Sequence, residues 1–179
     1  MVMKTQKSTD ARLIVITGSF GSGKSEFALN LVMQLPTSPP RVLVDLDLVN
    51  AYFRSREAYE VLENNSIKLI SPLKEIAFSD LPIAGPGVRE MISNLDYQVV
   101  LDVGGDDIGA IPLGSYRQEI HNTPHAFLLV VNPFRPFTSS KSSIIMLRGF
   151  LSQSENAGLP ESSERPLLLA AFLLSSLPS

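Results

Sequence analysis

The 179-residue chain contains no cysteine. That excludes disulfides, thiolate-bound metals, iron–sulfur clusters and cysteine nucleophiles, and it fits a reducing compartment. Long apolar runs are missing too. The stretch 13–16 is too short for a signal-peptide core, and 167–174 falls well short of the about 20 residues that a membrane-crossing helix needs. No basic run occurs and the net charge is −3, so nothing draws the chain toward nucleic acid or an anionic membrane. The G-x-S-x-G turn of a serine hydrolase is absent. His121 and His125 have no clustered ligands with which to hold a metal. The expectation is a soluble, cytoplasmic protein with no nucleic-acid partner and no membrane span.

What is present is enough apolar material for a core. Hydrophobic residues make up 44% and charged residues 18%, which suits one folded domain. Short runs rich in β-branched residues predict strands at 12–17 (RLIVIT), 41–46 (RVLVDL), 97–103 (YQVVLDV) and 126–131 (AFLLVV), with a weaker one at 67–70. Helices are expected between them. In 25–35, Phe27, Ala28, Leu31, Val32 and Leu35 share one face, and Pro36 ends the run. A second helix is expected over 54–63. A third opens at Pro86, with Val88, Met91, Ile92 and Leu95 at helical spacing, and another follows Thr138. Leu167 to Leu174 reads as one more strand or an edge piece. Alternating strands and helices predict βαβ units and a mostly parallel sheet covered on both faces. In such sheets ligands gather at the carboxyl ends of the strands. The polar and glycine-rich segments 18–25, 45–47, 102–107 and 132–135 all fall at such ends.

The first of these segments, Gly18-Ser19-Phe20-Gly21-Ser22-Gly23-Lys24-Ser25, matches G-x-x-x-x-G-K-[ST] between a strand and a helix. Glycines let several N–H groups converge on one concavity, and the helix start adds a positive dipole end. Lys24 can reach β- and γ-phosphates, and the Ser25 hydroxyl can ligate Mg²⁺. The expected nucleotide-binding set runs from Gly18 through Glu26. Asp102, at the end of VVLDV, can hold Mg²⁺, and Gly105 just beyond can offer its N–H to the γ-phosphate. Asp45 and Asp47 alternate onto one face of their strand, where one can orient the attacking water and the other can support the metal. The bland alternatives are a solvated strand-end aspartate at 102 and an Asx-turn cap at 45 or 47.

Asn132 and Arg135 in VVNPFRPF lie where a base or a partner would be met, although a rigid surface loop explains them equally. Asp106 and Asp107 read either as a γ-phosphate-sensing loop or as a polar turn. Arg54 and Arg56 read as exposed helix charges. No [NT]-K-x-D stretch for guanine occurs, which favours ATP over GTP.

Taken together, GSFGSGKS, VLVDLDLVNAYFRSRE and VVLDVGGDDIGA resemble the MinD/ParA/CobQ-type (SIMIBI-class) P-loop ATPases, and more narrowly their small uncharacterised bacterial and archaeal members. The similarity covers roughly residues 11–150. It implies a three-layer αβα P-loop fold with a mostly parallel sheet, incomplete at the C-terminus, in which the loop strand lies beside the Asp102 strand. It also implies Mg²⁺ and ATP as ligands, and slow hydrolysis coupled to docking on a protein partner or to homodimerisation. By position it assigns Lys24 and Ser25 to phosphate and Mg²⁺, and Asp47 to the water with Asp45 in support. Asp102 is assigned to the metal and Gly105 to the γ-phosphate.

Two departures stand out. Ser19-Phe20 occupies the region where many relatives carry a lysine that reaches across a dimer. Residues 151–179 are rich in Ser and Leu and do not look like the base-holding portion found in relatives. The expected organisation is therefore a flexible N-terminus (1–10), a nucleotide-binding domain (11–150) and a C-terminal segment (151–179). The alternatives are a small-molecule kinase or ligase with a lid at 72–90, and a module that binds nucleotide without hydrolysing it.

Overall fold

The computed structural model describes residues 11–46, 56–70, 86–104, 113–132, 134–135 and 167–171. Six strands form one sheet: β1 (Leu13–Thr17), β2 (Arg41–Asp45), β3 (Ile67–Ile70), β4 (Gln98–Asp102), β5 (His125–Val131) and β6 (Leu167–Ala171). Their order is β3-β2-β4-β1-β5-β6, and every pairing is parallel. Helices accompany them, among the described residues α1 (Lys24–Gln34), α2 (Arg56–Asn64), α3 (Pro86–Ser93) and α4 (Arg117–Asn122). No helix among the described residues is long and apolar enough to cross a membrane.

Side-chain alternation splits the core into two clusters, one per sheet face. Leu13, Val15, Val42, Val44, Val99 and Leu101 face one way and meet Val88, Met91 and Ile92 of α3 with Tyr116 and Ile120. Ile14, Ile16, Leu43, Val100 and Val130 face the other way and meet Ala28, Leu29 and Val32 of α1 with Ala58 and Leu62 of α2. Because both faces are covered, the strand interiors are apolar, and β1, β2 and β4 are buried at every residue, with the polar residues Arg41, Asp45, Gln98 and Asp102 standing at the strand ends. This is the three-layer αβα arrangement of the P-loop NTPase fold.

The helices differ from the sequence reading in instructive ways. On α1 the buried stripe is Ala28, Leu29, Val32 and Leu35. Phe27 and Leu31 are only partly buried and pack against that cluster from its edge. Helix α3 starts at Pro86 but stops at Ser93, which leaves Leu95 59% exposed rather than on the buried face. Helix α4 carries only Ile120 as a core residue, so its sequence shows no amphipathic period. The expected helix after Thr138 lies outside the described residues.

Arg41 ties the layer of α1 and α2 together. It is 6% exposed, and its guanidinium donates to the Val32 and Met33 carbonyls at 3.4 and 3.1 Å and to the Asn65 carbonyl. Those acceptors lie in the last turn of α1 and just past α2, where carbonyls lack helical partners and the dipole favours a cation. Replacing Arg41 by Ala should therefore lower stability by about 2–3 kcal/mol. Urea unfolding checks this, and an unchanged midpoint would show that the clamp is idle.

Candidate functional site

The chain leaves β1 toward β2 on the α1 face and leaves β4 toward β5 on the α4 face. The crossovers diverge between neighbouring strands β1 and β4. Such a topological switch point opens a crevice beyond the strand ends. Here that crevice receives the loop 18–25 from β1 and Asp102 from β4. The pairing is tight up to the crevice: Ile16 is in register with Asp102, and Val103 N–H donates to the Ile16 carbonyl at 2.9 Å. Thr17, buried just before the loop, donates its hydroxyl to the Gly104 carbonyl at 3.4 Å.

The loop is pinned where it begins. A Cβ built on Gly18 would stand 2.5 Å from the Val130 carbonyl oxygen and 2.7 Å from Ser22 Oγ. Only glycine fits that approach of the turn to β5. The Ser22 N–H then closes a turn on the Ser19 carbonyl at 3.0 Å. Gly21 and Gly23 follow with φ of +71° and +87°, a region costly for residues with a Cβ.

Gly23 is the N-cap of α1 and places no side-chain acceptor on the helix start. The first-turn N–H groups there are of the kind that a bound anion satisfies. Lys24 and Ser25 occupy that turn and are 4% and 5% exposed. Ser22 Oγ is also buried, with no hydrogen-bond partner among the described residues. Phe20, by contrast, is 78% exposed at the lip. Glu26 lies on the exposed side of α1, where its carboxylate accepts from Asn30 Nδ2 at 3.1 Å.

Two carboxylates join this loop. Asp45 and Asp102 are registered partners on β2 and β4 and are 3% and 0% exposed. Alternation from Leu43 and Val100 places both on the sheet face that α1 covers. Residues from three separated segments, Ser25, Asp45 and Asp102, thus belong to one layer at one end of the sheet. Hydroxyl and carboxylate oxygens suit a hard cation such as Mg²⁺. That ion takes one or two carboxylates plus substrate phosphates rather than a protein cage. No group of three His, Asp or Glu side chains able to hold a metal occurs among the described residues. Asp47, Gly105, Asp106 and Asp107 lie outside the described residues, as do Arg54 and the side chain of Arg56.

Asn132 and Arg135 follow β5 on the opposite flank of the loop. Asn132 is 8% exposed, and its Oδ1 accepts the Phe134 N–H at 3.0 Å while its carbonyl accepts the Arg135 N–H at 3.1 Å. This Asx-turn is the signal that NPFRP carries and that a base-contact reading passes over. The histidines lie elsewhere. His125 Nδ1 contacts the Thr123 carbonyl at 2.7 Å and the ring packs edge-on against Phe127. His121 lines a cleft of about 380 Å³ beside α4, with Arg89, Ser115 and Arg117.

No protein-family model matches the sequence, and no curated protein matches it either. Solved structures do match the fold. The signal recognition particle receptor FtsY from Elizabethkingia anophelis, in complex with GDP, superposes with a TM-score of 0.51 at 14% identity, over 80% of this chain and 46% of that one. FtsY from Mycoplasma mycoides gives 0.51 at 15%, over 80% and 49%. FlhF complexed with GTP/Mg(2+) gives 0.51 at 14%, over 94% and 70%. The chain spans about half the length of these FtsY structures. At such identities the likeness establishes the P-loop NTPase fold. It does not single out the MinD/ParA/CobQ group.

The Gly18 contact makes a sharp prediction. Gly18→Ala should cost about 1–3 kcal/mol by forcing β5 away from the loop. It should also abolish nucleotide-dependent stabilisation. An unfolding midpoint and a thermal shift with nucleotide equal to those of the unsubstituted chain would contradict it.

Proposed function

We propose that this chain binds a nucleoside triphosphate with Mg²⁺, ATP by preference, and hydrolyses it slowly as a switch that regulates a protein partner. One observation carries the reading. A glycine-lined turn runs from the buried strand β1 into a helix start with no side-chain cap, and Lys24 and Ser25 sit in its first turn.

In this reading the loop N–H groups and the α1 dipole bind the phosphates, and the Lys24 ammonium neutralises charge on the β- and γ-oxygens. Ser25 and Asp102 would hold Mg²⁺, with Asp45 beside them; the ion would supply charge neutralisation at the terminal phosphates. Asp47 orients the attacking water, and Gly105 offers an N–H to the γ-phosphate. The work is positioning and electrostatics, since phosphoryl transfer to water asks for little covalent chemistry from the protein. A conformational response of the segment after Asp102 to the γ-phosphate would signal to a partner or a second copy of the chain.

The base is a separate question. ATP is favoured by the lack of a guanine-reading [NT]-K-x-D stretch. GTP is the second reading, because FtsY and FlhF structures of the same fold are described with GDP and GTP.

Incubation with ATP or GTP, with and without Mg²⁺, tests both readings when binding and phosphate release are measured together. Lys24→Ala should lower phosphate release by about 10²–10³-fold while the chain stays folded. Asp102→Asn should weaken the Mg²⁺ dependence of binding. Turnover undiminished by Lys24→Ala would refute the assignment, and tighter GTP than ATP binding would reverse the base preference.

A further inference from the structure

The far wall of the loop is built by a residue that the helix start cannot supply. A Cβ built on Gly21 would stand 3.4 Å from Cζ and Nε of Arg135 and 3.7 Å from Nη2. The guanidinium therefore lies against the middle of the phosphate loop. Gly21 has φ of +71°, and a Cβ there would sit at ordinary contact distance from the guanidinium. Arg135 is held there from behind by the Asn132 turn, with its side-chain and backbone acceptors at 3.0 and 3.1 Å. Two residues before Asn132, the Val130 carbonyl presses on Gly18. One strand end thus grips the loop where it begins and sets a cation over its centre.

We propose that Arg135 binds the polyphosphate in cis, with Asn132 as its positioning residue. The inference rests on the nucleotide-binding reading and adds a second cation to it. Lys24 approaches from the α1 side, buried in the first turn, whereas Arg135 is exposed on the β5 side. A ligand in the loop would be bracketed between the two. Guanidinium suits this place, since its planar fork can give two parallel hydrogen bonds to phosphate oxygens. The same loop holds the buried Ser22 hydroxyl, which has no hydrogen-bond partner among the described residues and would gain one from a phosphate oxygen. A polyphosphate in the cradle of N–H dipoles would bring negative charge to the side of the loop where the guanidinium lies.

The test is titration of the full chain with Mg-ATP and Mg-GTP, comparing it with Arg135→Gln, Arg135→Lys, Asn132→Ala and the Asn132→Ala/Arg135→Gln double variant. Arg135→Gln should weaken binding about tenfold, as expected for one lost charge-assisted contact. The deficit should shrink between about 0.05 and about 0.5 M salt, because screening erodes a partly exposed charge contact. Arg135→Lys should recover part of the affinity. If Asn132 acts through Arg135, the double variant should bind within about a factor of two of the weaker single variant. The urea midpoint of Arg135→Gln should match that of the unsubstituted chain.

An Arg135→Gln variant that binds as tightly as the unsubstituted chain overturns this inference and leaves the nucleotide reading intact. A loss of affinity that neither salt nor Arg135→Lys alters also overturns it. No binding of either nucleotide by the unsubstituted chain removes both.

Discussion

The site depends on a backbone contact rather than on a side chain. The Val130 carbonyl lies so near Gly18 that a single added carbon would stand 2.5 Å from it. That approach fixes the exit of β1 against β5 before the loop begins. Everything downstream inherits the placement: the turn at Ser19–Ser22, the two positive-φ glycines and the helix start at Lys24. A loop tethered only at its helical end would have to be ordered by the ligand, and that entropy would be subtracted from binding. Here the ordering is supplied by packing between two central strands.

The second constraint is the parallel sheet itself. Register aligns Ile16 with Asp102 and Asp102 with Asp45. Alternation then puts both carboxylates on the α1 side of the sheet. Like charges on neighbouring strands repel, and burial removes the water that would screen them. Lys24 and the positive end of the α1 dipole lie on the same side of the sheet as this pair. The fold thus concentrates negative side chains and positive binding groups on one side of one crevice. The switch point between β1 and β4 keeps that crevice open.

Much of this was legible in the sequence. The phosphate loop was readable because its glycines, lysine and serine are contiguous and lie between a β-branched run and an amphipathic run. Strands β1, β2 and β4 were readable as apolar segments because each is buried on both faces, whereas the edge strand β3, with Lys68 exposed, gave a weaker signal. Less was readable where signals are weak. Helix α4 has one core residue and no period. Leu95 kept helical spacing beyond the point where α3 ends. The buried stripe of α1 is Ala28, Leu29, Val32 and Leu35, with Phe27 and Leu31 only partly buried, a choice between neighbouring apolar positions that periodicity alone does not make.

The sequence by itself determined the local chemistry: which eight residues form the loop, that Asp45 and Asp102 end strands, and that the strands alternate with helices. These follow from neighbours in the chain, where φ/ψ preference and periodicity act directly. Only the tertiary structure decided that Asp45 and Asp102 are registered partners, that Val130 bars a side chain at 18, and that Arg135 rests on Gly21. Those relations join residues more than fifty positions apart. Strand order and register set them, and no local pattern encodes which distant strand end will lie beside a given turn.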